Sequence, residues 1–542
     1  MSESRLERGL TVGTGSGRAR ARGLIFSVAA LLLVAGCAPV VVKAPTAATP
    51  MKGKEGSVVV SVTGNTARVS QFDSITIKQY IKPEPGVAPI TAEYILNQVS
   101  EGLARDTSLF VGAVPEGDYV FEKISDNKTQ KYVAFNQATV ERLGIFHVKA
   151  GSVSDLGRLV VTGVNNRVLI GRSERVRSNT ELVKRFAPAN AVIYTAEVNG
   201  GWIAPRDTGD LVEEYALDRP VGADALTELP NGWSIAASRL GTVLLRSPTG
   251  TWRAVRSNGL ESLLWVKEYE SAKSMLLAVG ELNTMLRLDR QGQLVAIDTG
   301  NLPPGNLLFI DGSESVGWFV AQQRGKEVTI YESPTLERGN WQAMKTESVE
   351  TSFWNGSNYF WIWPTKDGFA YAISEGKIRQ YNFAKQTWTD LSAPKAARFL
   401  KVAPQPGNVV SAVMSPGGAA AGMLATIHLS RDGGATWTEI NSPFSSKVFA
   451  PYLIASGNLL VLGGTELQRS DDMGKTWYKV NDRVSSEEQI VVLPTRGLFL
   501  VSSGQQFGLA SIKHSEDGGT SWKTEYSNFD RAAYEAQKKN KK

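Results

Sequence analysis

The chain has 542 residues, 42% hydrophobic and 21% charged, which is length for more than one domain and apolar content for large cores. Its formal net charge of +6 comes from 59 basic and 53 acidic residues, too even a balance to point to nucleic acid as a partner. One cysteine rules out an intrachain disulfide, and three histidines (His147, His428, His514) without ligand spacing imply no metal and no cofactor.

Residues 1–36 read as an export leader. Arg18, Arg20 and Arg22 precede a short apolar run from Leu24 to Val34, too short for a comfortable membrane span. Leu33-Val34-Ala35-Gly36-Cys37 then resembles the bacterial lipobox, which implies cleavage before Cys37 and diacylation of its thiol. The other reading of this stretch is a plain secretory signal or an N-terminal anchor. Cleavage removes five Arg and two Glu and leaves 54 basic and 51 acidic residues, net +3. Ala38 stands where Asp favours inner-membrane retention in enterobacterial lipoproteins, so the resemblance implies the outer membrane of a bacterial envelope.

Residues 37–56, with Pro39, Pro45 and Pro50, read as the lipidated Cys and a solvated, flexible tether. Residues 57–171 read as a β-sandwich built of short alternating runs at 57–63, 74–82, 109–114, 119–124, 145–149 and 159–162. Val114-Pro115-Glu116-Gly117-Asp118-Tyr119 is similar to the turn of transthyretin-like and carboxypeptidase-regulatory-like domains, in which the Tyr opens an inward-facing strand. Such domains commonly serve as spacers or adhesion modules.

Residues 172–222 read as a connecting segment. Ser178-Asn179-Thr180-Glu181 has the pattern of a capping box, followed by a short helix over 181–187 that stops before Pro188. Residues 191–198 are a strand candidate, either latching the following ring or belonging to the first domain.

Residues 223–527 carry the organising repeat. Ser430, Asp432, Gly434 and Trp437 recur as Ser470, Asp472, Gly474 and Trp477, and again as Ser515, Asp517, Gly519 and Trp522. Each set suits a hairpin turn: Gly accepts positive φ, Asp ties down backbone N–H groups, and Trp wedges against neighbouring strands. Weaker copies close at Trp252, Leu294, Trp341 and Trp388, so the marks fall 42, 47, 47, 49, 40 and 45 residues apart. That period implies seven four-stranded blades, hence an all-β chain: an N-terminal β-sandwich followed by a seven-bladed propeller. The repeat resembles the Asp-box, or bacterial neuraminidase repeat, which lies at blade peripheries, so these residues are expected to be structural. The layout is also similar to the photosystem II assembly propellers of cyanobacteria and plastids. Residues 528–542 are a basic tail, expected to be solvated.

Sialidases of the Asp-box group also carry Arg-Ile-Pro, an arginine triad and a Tyr–Glu nucleophile pair. Arg-Ile-Pro does not occur in this chain, and Arg246, Arg253 and Arg287 read as ordinary strand and turn residues. One aromatic concentration stands out: Phe353, Trp354, Tyr359, Phe360, Trp361 and Trp363. In a strand, Tyr359, Trp361 and Trp363 share one face; they either fill the gap between two blades or form a platform for a partner protein or sugar ring. The expectation is therefore a lipid-anchored envelope protein with a non-enzymatic binding or assembly role toward a protein partner. The alternative is a carbohydrate-active protein, either binding glycans or hydrolysing them.

Overall fold

The structure is a computed structural model that describes residues 39–64, 72–82, 91–100, 102–126, 131–164, 167–206, 211–218, 225–229, 231–269, 274–350, 359–394, 398–415, 425–443, 452–456, 459–463, 466–481, 488–493, 495–502 and 511–527. The expected leader, Cys37, Phe353, Trp354 and the basic tail lie outside these residues.

The first domain is a sandwich of two sheets. One contains β1 (Val40–Val42), β3 (Ser74–Gln79), β4 (Glu93–Asn97), β6 (Gly117–Asp126), β7 (Lys131–Ala134) and β8 (Phe146–Val148), in the order β1-β4-β3-β6-β7 with β8 also on β6. The other contains β2 (Glu55–Gly64), β5 (Thr107–Pro115), β9 (Ser152–Val164), β10 (Arg167–Arg172) and β11 (Glu197–Asn199), in the order β10-β9-β2-β5 with β11 on β9. Alternation on β2 decides the packing. Val58, Val60 and Val62 meet Ile75, Ile77, Phe110, Phe121 and Leu159 between the sheets. Val59 points the other way and is covered by Val183 and Ile193 of the connecting segment. Tyr119 faces inward as its turn requires, with its hydroxyl donating to the Pro115 carbonyl at 2.7 Å and its ring stacked on Phe146.

The stretch expected to be a tether differs. Val40–Val42 pairs in parallel with Tyr94–Leu96, and Asn190 donates to the Pro45 carbonyl at 2.9 Å. Three consecutive valines have strand propensity and a sheet edge to join, and this outweighs the flanking prolines. The connecting segment also departs from expectation. A helix spans Thr180–Phe186, but Asn179 makes no side-chain cap; its amide donates to Asp155 and to the Gly157 carbonyl instead. Residues Pro188–Thr195 form 3-10 turns rather than a strand, and Glu197–Asn199 pairs with Ser152–Ser154, which places that short strand in the first domain, the second of its two expected positions. A further helix, Val212–Asp218, leads into the second domain.

The second domain is a seven-bladed β-propeller. Seven four-stranded antiparallel sheets follow one another at 226–256, 263–296, 306–348, 360–391, 398–440, 452–481 and 488–527. All seven closing positions read from the repeat fall at, or within one residue of, the start of a blade's outer strand. A separate apolar cluster fills each interface between successive blades. A seventh, containing Leu244, Phe499 and Ile512, joins the last blade to the first and closes the circle. Among the described residues every blade is a contiguous stretch, so closure rests on packing and side-chain hydrogen bonds rather than on a strand shared between the first and last blades.

Antiparallel order assigns the connections to two faces. The turns joining second to third strands lie on the same face as the links from one blade to the next. The turns joining first to second and third to fourth strands lie on the other.

Candidate functional site: the two faces of the ring

The three strong repeats are third-to-fourth-strand turns, at the rim of one face. In blade 5, Ser430 Oγ donates to Asp432 at 2.7 Å and accepts from Gly434 N at 2.8 Å, while Thr436 N and Oγ1 donate to the two Asp432 carboxylate oxygens at 2.9 and 2.5 Å. The Trp437 indole closes onto the Gly434 carbonyl at 3.0 Å. Blade 7 repeats this with Ser515, Asp517, Gly519, Ser521 and Trp522. Blade 6 repeats it with Ser470, Asp472, Gly474 and Thr476, except that Trp477 donates to Asn441 of blade 5. These bonds act against burial to hold Asp432 below its ordinary range, and hold Asp517 at about 2; Asp472 is pulled lower by Thr476 above all. Each carboxylate is occupied by its own turn.

The opposite face carries the first domain. Glu281, fully buried in the second-to-third turn of blade 2, accepts from the backbone N–H groups of Arg105, Asp106 and Thr107 at 2.9, 2.7 and 3.2 Å. It also accepts from the Thr107 hydroxyl at 2.6 Å and from Ser262 N at 3.0 Å. Burial and then the Asp106 charge push the Glu281 carboxyl up, against the pull of these donors. Asp106 is itself met by Arg239 of blade 1 at 3.2 Å, both fully buried. Arg158 reaches Glu261 at 2.8 Å, Arg175 the Ser257 carbonyl at 2.9 Å, and Arg185 the Thr299 hydroxyl at 2.8 Å. Gly325 N donates to the Gly102 carbonyl at 2.9 Å on blade 3. Among the described residues these contacts fall on blades 1 to 3.

Of the aromatic residues singled out in the sequence, Tyr359, Phe360, Trp361 and Trp363 begin blade 4, just beyond the sector that the described first domain covers. Trp363 is buried between blades 4 and 5 beside Phe399 and Val402, its indole directed at the Gly433 carbonyl at 3.3 Å; it packs the ring and offers no platform. Phe360 faces the other way and stacks on Tyr371. Tyr359 and Trp361 remain half-buried with their ring centres 5.8 Å apart, at the end of the inner strand that reaches the face holding the first domain. Arg398, opening the next inner strand, pairs with Glu350, which also accepts from Ser374 at 3.1 Å. Lys401, further along that strand, has its ammonium pushed down to about 7 by burial; its isolation in sequence gave no signal.

The residues weighed for sialidase chemistry do not converge. Arg246 binds Glu525, Arg253 lies over Trp233, and Arg287 reaches Glu337. His514 stacks on Phe499 and meets Glu525 at 3.1 Å, so it belongs to ring closure. His428 sits against Thr426 and His147 against Asp118, each on a different element. Among the described residues no group of three or more His, Cys, Asp or Glu could hold a metal ion.

No family model matches the chain, and no curated protein matches it. Among solved structures it is similar to YCF48 from Cyanidioschyzon merolae, with a TM-score of 0.37 at 14% identity over 52% of this chain and 94% of that one. It is likewise similar to a structure of YCF48 bound to D1 peptide, at 0.37 and 16% identity over 52% and 90%. The computationally designed Ika8 protein gives 0.34 at 10% identity over 56% and 87%.

Proposed function

We propose that this protein is a non-enzymatic scaffold of the bacterial envelope, held to the outer membrane by a diacylated Cys37, whose ring presents to a protein partner the sector of its face that no described residue of the first domain covers, called here the uncovered sector. The observation that carries this reading is the asymmetry of one face. Among the described residues the first domain is joined to blades 1 to 3, with fully buried polar contacts at Arg239 and Glu281, and Tyr359 and Trp361 sit at the edge of what is left. Half-buried aromatic rings beside a charged pair suit recognition of another protein, since they bring apolar area at low entropic cost. The polar groups there are paired with one another, which favours binding over proton transfer.

Affinity purification of the lipidated protein from gently crosslinked, detergent-solubilised membranes tests this reading. A stoichiometric envelope protein is expected from the wild type and at least a tenfold lower yield from the Tyr359→Ala, Trp361→Ala double variant. Recovery of the protein alone, or a partner indifferent to both substitutions, overturns the reading. Binding of the wild type to a glycan array, lost in the same variant, favours a carbohydrate ligand instead.

A further inference from the structure

The strands of the first domain run between two ends. One end holds Thr63, Thr107, Ser74 and Asn97, and its Asp106–Thr107 backbone is bound by Glu281 of the ring. Register places Glu55 and Pro115, Lys78 and Glu93, and Gln79 and Tyr119 at the other end. Val40 lies opposite Tyr94 at that remote end. Cys37 is three residues before Val40, so the expected lipid attaches almost at the surface of the sandwich, without the long tether that the sequence suggested. Around the same end Val40, Val41 and Ile81 are 53%, 59% and 42% exposed.

We propose that the end of the sandwich remote from the ring rests on the lipid bilayer, so that the uncovered sector of the ring faces the membrane across a gap the height of the sandwich. The inference rests on the lipid-anchor reading of Cys37. The face follows from topology: the first domain sits on the side of the second-to-third turns, so that side of the ring looks back along the sandwich toward the anchor. The gap follows from β2, whose ten residues span roughly 30 Å at about 3.3 Å each. The occupant at the remote end is lipid rather than a protein because the acyl chains must enter the bilayer within a few residues of Val40. Valine and isoleucine side chains then lie at the interface. Charge does not select the lipid. Lys149 is matched by Glu197 at 2.8 Å and Lys78 by Glu93 at 3.9 Å, and the Lys54 carbonyl accepts from Glu116 N, which sets those two residues side by side. A partner reaching Tyr359 and Trp361 therefore belongs to the membrane-proximal layer.

The only native thiol is taken by the lipid, so single cysteines can be labelled in the full-length protein. Val41→Cys, Ile81→Cys and Lys385→Cys, each carrying a fluorophore, are placed in phosphatidylethanolamine–phosphatidylglycerol vesicles with doxyl-labelled lipid. Acylation is checked by intact mass. Labels at 41 and 81 are expected to be quenched several-fold more than at 385, equally at low and high salt. Energy transfer to an acceptor-labelled lipid is expected to be stronger from Glu375→Cys, on the second-to-third turn of blade 4, than from Lys385→Cys on the opposite face. Weak quenching at 41 and 81 in acylated protein, or stronger transfer from 385 than from 375, overturns the proposal. Absence of the diacyl mass overturns the anchor reading instead.

Discussion

Blades 1 to 3 and blades 5 to 7 are built to one plan but held by different means. In the late blades each outer hairpin is tied by a local set of bonds within a few residues of Asp432, Asp472 or Asp517. In the early blades the turns have lost part of that set. Blade 1 keeps Ser247, which accepts from Thr251 N at 3.0 Å, but has no Asp, and blade 2 keeps Asp289, which accepts from Gln293 N at 2.8 Å, but has no Trp. Those same blades carry Arg239, Glu261 and Glu281, which bind the first domain. The difference teaches that a repeat can shed its local turn bonds where long-range contacts restrain the blade. A substitution should then act locally in the late half and across domains in the early half.

The largest effect is expected at the seam where the halves meet. Glu525 of blade 7 accepts from Arg246 of blade 1 at 2.7 and 2.8 Å and from the Trp252 indole at 3.0 Å. Glu525→Ala leaves the Arg246 guanidinium buried without its carboxylate, at a cost of about 3–5 kcal/mol. A fall in the denaturation midpoint, with faster hydrogen exchange first at 242–246 and 511–515, checks this. Next comes Glu281→Ala, which strands buried N–H donors at Asp106, Thr107 and Ser262, at a cost on the order of 3 kcal/mol. Its expected signature is separation of one unfolding transition into two. A single unshifted transition would show that the early half does not depend on the first domain.

How much of this was legible depends on the range of the interactions. The seven marks located the outer strands because turn chemistry is local: Asp432, Gly434 and Trp437 answer to neighbours within five residues. The alternation of Val58, Val60 and Val62 gave the sandwich core for the same reason. The docking of the first domain was not legible, because Glu281 lies more than 170 residues from Thr107 and a lone glutamate in a turn gives no sign of burial. Trp363 and Trp361 share strand parity and both pack toward Phe399 on the next blade, and only the depth of burial, which the sequence does not show, separates the sealed ring from the half-buried one. The 37–56 stretch misled because its spaced prolines and its small and charged residues read as a tether, while the run of three valines acts through a partner strand distant in sequence.

A smaller effect is expected from Asp432→Ala, which removes the acceptor of two Thr436 bonds at a cost of about 1 kcal/mol. Exchange should quicken around 426–440 and nowhere in the first domain. Loss of protection at 105–109 would break the contrast between local and long-range restraint.

The mildest probe is pH, and there the two halves are expected to respond with opposite sign. The turn aspartates have folded pKa values below the ordinary aspartate value near 3.9, with Asp517 at about 2. Their contribution is therefore fully present above about pH 4 and fades as pH falls toward the folded values. Glu281 is raised by burial and by Asp106, so its contribution is fully present only below the ordinary glutamate value near 4.3 and is lost as pH rises through the folded one. Acidification from neutrality should thus tighten the joint at Glu281 before it loosens the turns of blades 5 to 7. Hydrogen exchange corrected for the intrinsic rate, compared at 105–109 and 467–470 across this range, reads both trends at once. If protection at the two sites moves in parallel, Asp106 and Arg239 rather than Glu281 govern the joint, and the early half answers to charge pairing instead of to a buried proton.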